Sequence, residues 1–422
     1  MPKPYVTILG KAVRAASRLR GGGSALPGLV VERIDPDFIR ATLATLPHGV
    51  VVISGTNGKT TTTKMVVELL ESQGLKVFTN RTGSNFTRGV AAALLGEINL
   101  KGELKADIAV LELDEAHAVK FVRTIPPRYS LLLNVMRDQL DRFGEIDTTA
   151  KMLQIIAMST TDSVVLNRED QRIAQLQTHL TTQKVSFFGL SPKLVTLFPS
   201  DDDLHGGAEP SSARMTDVEL LNFDDKKAAF RLGDKKVITA LKLNGIYNIF
   251  NAAAALALVR AIVGETLDND KLVTALAEVE PAFGRGETLI VNGQPIELVL
   301  VKNPSGFRLG LKSFKPKGYA TMIAINDNYA DGRDMSWLWD VDFESLQPVG
   351  VDEVSGVRAY DMALRLRYDE VPITSVNPDL GKALKHFLSA NNSKPKRIYC
   401  TYTAMLDLRR RLSKITNVES IE

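Results

Sequence analysis

The run Gly55-Thr56-Asn57-Gly58-Lys59-Thr60-Thr61 has the residue types and spacing to hold the phosphates of a nucleotide. Glycines let a backbone turn tightly and aim its N–H groups at phosphate oxygens. A helix that begins here points its positive end at the same anion. Lys59 can supply a full charge to the β- and γ-phosphates, and the Thr60 hydroxyl is placed to ligate Mg²⁺. The usual phosphate-loop pattern has another glycine where this chain has Ile53, so the run is a shorter form. An ordinary glycine-rich turn is the competing reading, and the embedded Lys-Thr-Thr argues against it.

Phosphate-bound Mg²⁺ also needs carboxylate help. Leu111-Glu112-Leu113-Asp114-Glu115 offers it at the end of an apolar run, where α/β sheets place their ligands. Capping of the next helix is the alternative for these acids. Far downstream, Asn326 to Asp340 holds four aspartates (Asp327, Asp331, Asp334 and Asp340) and both tryptophans, Trp337 and Trp339. On chemistry alone this could be a surface loop with two anchoring aromatics. Cys400 is the one cysteine. It excludes an intrachain disulfide framework and a Cys-rich zinc site, and its apolar surroundings suit a core thiol better than a nucleophile. The five histidines make no metal-ligand spacing.

These residues need elements to position them. Val50 to Ser54 reads as a buried strand, and Thr60 to Gln73 as a helix stopped by Gly74. Ile108 to Leu113, Ser130 to Val135, Ser163 to Asn167 and Val185 to Phe188 are further buried-strand candidates with helical stretches between them. Such alternation implies an α/β fold with a mostly parallel sheet covered on both faces. Asn248 to Val263 is a strong apolar helix. A third region begins near Gly284, with strands at Ile296 to Val301, Ala320 to Ile325 and Arg397 to Thr401, and a last helix from Ala404 to Leu412. We therefore expect an N-terminal segment (1–47), a central ATP-binding domain (48–283) with an exposed insertion at 191–217, and a smaller α/β C-terminal domain (284–422).

The chain has 422 residues, too many for one ordinary core. A net charge of +3 gives no field for nucleic acid. The single thiol suits a reducing compartment. No apolar run of ~18 residues stands out, and the basic stretch Met1 to Gly23 is a poor signal peptide. Lys11, Arg14, Arg18 and Arg20 accompany apolar residues there, so this stretch is either a helix packed on the central domain or one that lies on anionic lipid.

The Gly-Thr-Asn-Gly-Lys-Thr form resembles the Mur ligase and folylpolyglutamate synthase superfamily. Other segments resemble it in the same order: Thr82-Gly83-Ser84-Asn85, Asn134 to Gly144, Asn244 to Ala252 and Gly284-Arg285-Gly286-Glu287. Within that superfamily the strings Val301 to Phe307, Asn326 to Asp340 and Gly356 to Arg365 resemble the MurT family. The resemblance implies a central P-loop ATPase domain of Mur ligase type. It makes Glu112 the metal ligand beside Thr60, brings Asn248 and Asn251 near the nucleotide base, and sends Arg285 to the ATP phosphates. Gln139 stands where amino-acid-adding ligases have a metal-holding histidine. Many MurT proteins carry a four-cysteine zinc ribbon where Ser191 to Asp217 has no cysteine, so no zinc is expected.

The activity implied is ATP-dependent amidation of the D-glutamate α-carboxylate in the lipid II stem peptide, through an acyl phosphate. The cofactors are ATP and Mg²⁺. The ammonia comes from a GatD-type glutaminase partner, and an aspartate of the C-terminal motif completes that partner's Cys-His pair, Asp334 being the first choice and Asp331 the second. No nucleic acid partner is expected. The expected location is the cytoplasm, or the inner face of the membrane by peripheral contact. A peptide-adding or folylpolyglutamate-type ligase and a non-catalytic nucleotide-binding scaffold are the competing functions.

Overall fold

The computed structural model describes residues 3–19, 25–80, 86–136, 146–198, 215–224, 227–242, 245–280, 285–314, 316–390 and 394–418. Two sheets organise them. The first has nine strands in the order β2-β3-β1-β4-β5-β6-β7-β8-β9, with β2 (Val77–Thr79) at one edge. Its centre is parallel: β1 (Val50–Ser54) lies between β3 (Ile108–Glu112) and β4 (Tyr129–Leu132), and β5 (Ser163–Asn167) and β6 (Lys184–Leu190) follow. β1, β3, β4 and β5 are buried along their whole length, which is why they read as continuous apolar runs rather than alternating ones. β7 (Val218–Phe223), β8 (Lys227–Leu232) and β9 (Lys235–Ala240) close one edge; β7 runs parallel to β6, and β8 and β9 are antiparallel.

Helices cover both faces. On one face lies α1 (Pro4–Leu19), with α2 (Ala25–Ile34), α3 (Phe38–Leu43), α5 (Thr87–Glu97), α6 (Glu115–Thr124) and α7 (Ile146–Ser159). Val6, Val31 and Phe38 share this core with Val50, Val52 and Leu111, so the N-terminal helices are packed onto the central sheet. On the other face α4 (Lys59–Ser72) packs with α9 (Ile246–Val263) and α10 (Asn269–Glu278); α8 (Gln171–Gln175) is a short helix after β5. One expectation needs correcting: α9, taken through Thr266, is apolar and long enough to cross a membrane by length and composition. It is instead the core helix of this face, and Ala252 to Ala255 are completely buried in it. Small side chains let it lie close to its neighbours.

The second sheet has the order β10-β11-β15-β12-β13-β14. β10 (Arg285–Val291) and β11 (Gln294–Leu300) form a hairpin around Asn292 and Gly293, both with positive φ (51° and 78°). That matches the Asn-Gly turn whose twist suits a two-residue hairpin. After β11 the chain crosses through α11 (Pro304–Ser313) to β12 (Ala320–Ala324) and moves outward to β13 (Val351–Ser355), α12 (Ala359–Tyr368) and β14 (Ile373–Asn377). It then returns through α13 (Leu380–Ser389) to place β15 (Lys396–Cys400) between β11 and β12, and ends in α14 (Tyr402–Leu412). β12 and β15 are therefore parallel neighbours whose following segments go to opposite faces of the sheet. In open parallel sheets, that switch point at the carboxyl ends of the strands is where ligands bind. The aspartate-rich segment begins there.

Candidate active site

β1 runs straight into the glycine loop, and α4 leaves it. Gly55 and Gly58 have φ of 132° and 88°, which residues with a Cβ resist. Space demands glycine too. A Cβ at Gly55 would lie 2.9 Å from the Asn134 backbone nitrogen, and one at Gly58 2.8 Å from Asn251 Oδ1. The segment after β4 clamps the loop. Asn57 N donates to Asn134 Oδ1 (2.9 Å), Asn134 Nδ2 donates to Asn57 O (3.0 Å), and Met136 N donates to Thr56 Oγ1 (3.0 Å). Thr61 lies buried in the first turn of α4.

Lys59 is only 6% exposed. Its ammonium donates to the carbonyls of Gly55 and Thr56 and lies 3.6 Å from Glu115 Oε2. The Thr60 hydroxyl donates to Glu112 Oε1 at 2.8 Å. Asn80 fixes the Glu112 backbone from β2 (Val77–Thr79), accepting from Glu112 N at 3.0 Å and donating to Glu112 O at 2.8 Å. A hydroxyl and a carboxylate thus adjoin beside the loop, a hard-oxygen pair that suits Mg²⁺. Among the described residues no group of three or more His, Cys, Asp and Glu could hold a metal by itself, so phosphate oxygens and water would complete such a site. Asp114 starts α6 without a side-chain cap bond. Glu115 faces Lys59, a pairing that the sequence reading did not assign.

A pocket opens beside the loop, lined by residues 133–136, Asn167, Glu169 and Asp170, by the rings of Phe188, Phe198, Tyr247 and Phe250, and by Asn251. Apolar rings with a few polar groups at the rim suit a nucleobase. Asn251 therefore touches both the pocket and Gly58. Asn248 lies in the first turn of α9, and Arg285 begins β10, with its side chain outside the described residues. Residues 81–85, 137–145, 199–214, 243–244 and 281–284 also lie outside them. That takes in the Thr82–Asn85 loop, Gln139, Asn244, Gly284 and most of the cysteine-free insertion. Glu287 is paired with the buried Arg409 of α14, which gives it a structural task at the start of the second sheet.

The second sheet reaches the loop directly. Lys302 Nζ donates to Thr56 O at 3.3 Å, and Asn303 Nδ2 donates to Asn57 Oδ1 at 3.3 Å. Asn303 also caps α11, accepting from Gly306 N at 2.6 Å. Neither residue was among the sequence candidates. A lysine directly after a buried strand was the available signal, but nothing local said that it meets a loop 246 residues earlier.

The two candidate aspartates differ sharply. Asp331 is 3% exposed and spends both oxygens inside the fold: Oδ1 accepts from Thr403 N (2.7 Å), and Oδ2 from Thr403 Oγ1 (2.5 Å) and Asn328 N (3.1 Å). Burial pushes its carboxyl above the usual aspartate range. Asp334 is half-buried, and its Oδ1 accepts from Ser336 at 2.9 Å; these hydrogen bonds hold its carboxyl below that range. Trp337 is buried in the C-terminal core, so of the two tryptophans Trp339 is the exposed one. It packs edge-on to Tyr368 of α12 (5.0 Å) with Arg365 over its face. Cys400 is completely buried, which pushes its thiol far above the reactive range.

Residues 53–259 match the family described as Mur ligase middle domain, and residues 300–405 match MurT ligase C-terminal. The chain is also 31% identical to a Streptococcus pneumoniae protein named lipid II isoglutaminyl synthase (glutamine-hydrolyzing) subunit MurT, over 94% of each chain. This chain belongs to the MurT family. Solved structures agree on the fold. A MurF from Acinetobacter baumannii superposes with a TM-score of 0.69 at 17% identity, covering 92% of this chain and 80% of that one. A MurF ligase from Thermotoga maritima in complex with ADP gives 0.65 at 18%, covering 89% and 81%. Against this MurT-family background, the phosphate loop, the Thr60–Glu112 pair and the aspartate segment fall on two different sheets, joined through Lys302 and Asn303.

Proposed function

We propose that this chain is the ATP-using ligase subunit of an amidotransferase that converts the D-glutamate α-carboxylate of the lipid II stem peptide into an amide. The observation that carries the reading is the loop itself: Lys59 and Lys302 both meet its carbonyls, the Thr60–Glu112 pair adjoins it, and the single thiol is buried. A chain with that loop can activate a carboxylate but cannot hydrolyse glutamine, which needs a reactive thiolate. The ammonia therefore comes from a second chain, a GatD-type glutaminase.

In this mechanism ATP is the phosphoryl donor. Loop amides with Lys59 and Lys302 neutralise charge on the transferred group, and Arg285 adds to them by family likeness. Thr60 and Glu112 would hold Mg²⁺, which supplies Lewis-acid polarisation of the phosphates. A carboxylate oxygen of the substrate attacks the γ-phosphorus, the bond to the β–γ bridging oxygen breaks, and ADP leaves. Ammonia then attacks the acyl carbon, loses a proton, and phosphate departs. Asp334 faces outward to orient the glutaminase histidine, and Trp339 with Tyr368 offers that partner an aromatic contact.

The test is reconstitution with the glutaminase, lipid II, ATP, Mg²⁺ and amide-labelled glutamine, read by mass spectrometry of the stem peptide. Label in the new amide is expected. Incorporation of a whole amino acid would favour the peptide-adding reading, and absence of ATP turnover would favour a scaffold.

A further inference from the structure

Helix α1 is packed the wrong way round for a helix whose apolar side meets the protein. Its inward face consists of Val6, Thr7, Gly10 and Ser17, with Gly10 fitted between Leu95 and Val31. Its outward face consists of Tyr5, Ile8, Leu9, Ala12, Ala15 and Ala16. Tyr5 is 59% exposed, Ile8 54% and Leu9 43%. At 3.6 residues per turn these positions form one stripe along the helix, without a charge in it. A stripe of this kind left in water is a contact surface.

The surrounding charge identifies what it contacts. Residues 1–31 contain Lys3, Lys11, Arg14, Arg18 and Arg20 and no acidic residue; Glu32 is the first. Two copies of this chain meeting through α1 would bring Lys3, Lys11 and Arg14 of each copy together, with Glu97 the acidic neighbour beside Lys11, so the excess of positive charge opposes self-association. An anionic bilayer satisfies both features. Apolar side chains enter the boundary between headgroups and acyl chains, and the flanking cations meet the phosphates.

We propose that the outward face of α1 docks the chain on an anionic membrane surface. The docking follows from the helix alone, and only its purpose rests on the proposed lipid-linked substrate. Docking keeps the ligase on the surface that contains its acceptor, so encounters occur by lateral diffusion in two dimensions. One such helix gives reversible rather than permanent attachment.

The test is co-sedimentation of the full chain with vesicles of phosphatidylglycerol and phosphatidylcholine, and with vesicles of phosphatidylcholine alone. The expected result is binding to the mixed vesicles, weakened by high salt and weaker without phosphatidylglycerol. Ile8→Asn with Leu9→Asn should lower that binding by about tenfold or more, because two apolar side chains lose their insertion. Both side chains are exposed, and an unchanged melting curve would verify the fold; Lys3→Glu with Lys11→Glu is the independent charge variant and should also weaken binding. Absence of binding to mixed vesicles, or equal binding by the Asn variant, overturns the proposal. So does a dimer in gel filtration that the same variant dissociates, or protection of α1 by the glutaminase partner. Amidation of a short-chain, water-soluble lipid II analogue without vesicles should be unchanged in the Asn variant. That assay reports the catalytic reading separately.

Discussion

The Thr60 hydroxyl donates to Glu112 at 2.8 Å, joining the first turn of α4 to the end of β3. Asn80 holds Glu112 only through its backbone N–H and carbonyl. The carboxylate can therefore change without disturbing the strand. Glu112→Gln should fold normally yet lose about 10²-fold in ATP turnover, because a neutral amide is a poor Mg²⁺ ligand. Turnover against Mg²⁺ concentration checks this. A normal Mg²⁺ requirement would remove Glu112 from the metal site.

Lys59→Ala should lower ATP-dependent amidation by about 10²–10³-fold, the usual cost of one preorganised charge. It also leaves Glu115 buried at 2% exposure without its cation, so the variant should melt earlier. Adding Glu115→Ala should recover part of that stability and none of the rate. Recovery of both would mean that Lys59 serves the fold alone.

Lys302 and Asn303 are neighbours with separable tasks. Lys302→Ala removes a cation beside the Thr56 carbonyl and should raise KM for ATP and lower kcat, with little change in melting. Asn303→Ala removes a helix cap and should cost about 1 kcal/mol of stability. Equal loss of stability in both variants would count against a phosphate task for Lys302.

The strand–turn–helix around Gly55 was legible because phosphate chemistry packs its residues into one short run. Buried strands such as β1 and β5 were legible because both faces are covered, which leaves an apolar string. The Lys302–Thr56 contact was not, since it depends on how two sheets dock. The β7–β9 edge was not legible, because its strands are only partly buried and their buried residues follow neither a continuous nor an alternating pattern. Burial separated Asp331 from Asp334, which sit three residues apart on one loop and look alike in sequence.

That separation has a pH signature. The Asp331 carboxyl is raised in the folded chain by burial, against hydrogen bonds from Thr403 and Asn328. A raised acid holds its proton more tightly when folded. Its contribution is complete below the unfolded value of ~3.9 and is lost as pH rises through the higher folded value. Asp334 is lowered by its bonds to Ser336, so its contribution is present above ~3.9 and lost as pH falls through the lower folded value. Asp331→Asn should therefore gain on the parent chain as pH rises from about 3.5 to 6, and Asp334→Asn should fall behind it slightly over the same interval. Melting curves across that interval check the two slopes. Slopes of the same sign would contradict the burial difference.

Free ammonia at neutral pH is mostly protonated and no longer nucleophilic, so the glutaminase and ligase sites should be coupled. Asp331 cannot turn outward without abandoning Thr403, whereas Asp334 is half-exposed on the segment that also carries the exposed Trp339. Under the proposed function, Asp334 rather than Asp331 is the one that would reach a partner histidine, as the third member of a Cys-His-Asp arrangement. Asp334→Asn should keep ATP binding and complex formation but suppress glutamine hydrolysis by the partner. Amidation driven by added ammonium salt should survive, because Lys59, Thr60 and Glu112 are untouched. Parallel rates with glutamine and with ammonium are the measurement. An equal fall in both would assign Asp334 to the ligase site. If neither falls, Asp334 is the wrong residue and Asp331→Asn should be taken through the same pair of assays, with its melting curve alongside to separate loss of the Thr403 anchor from loss of coupling.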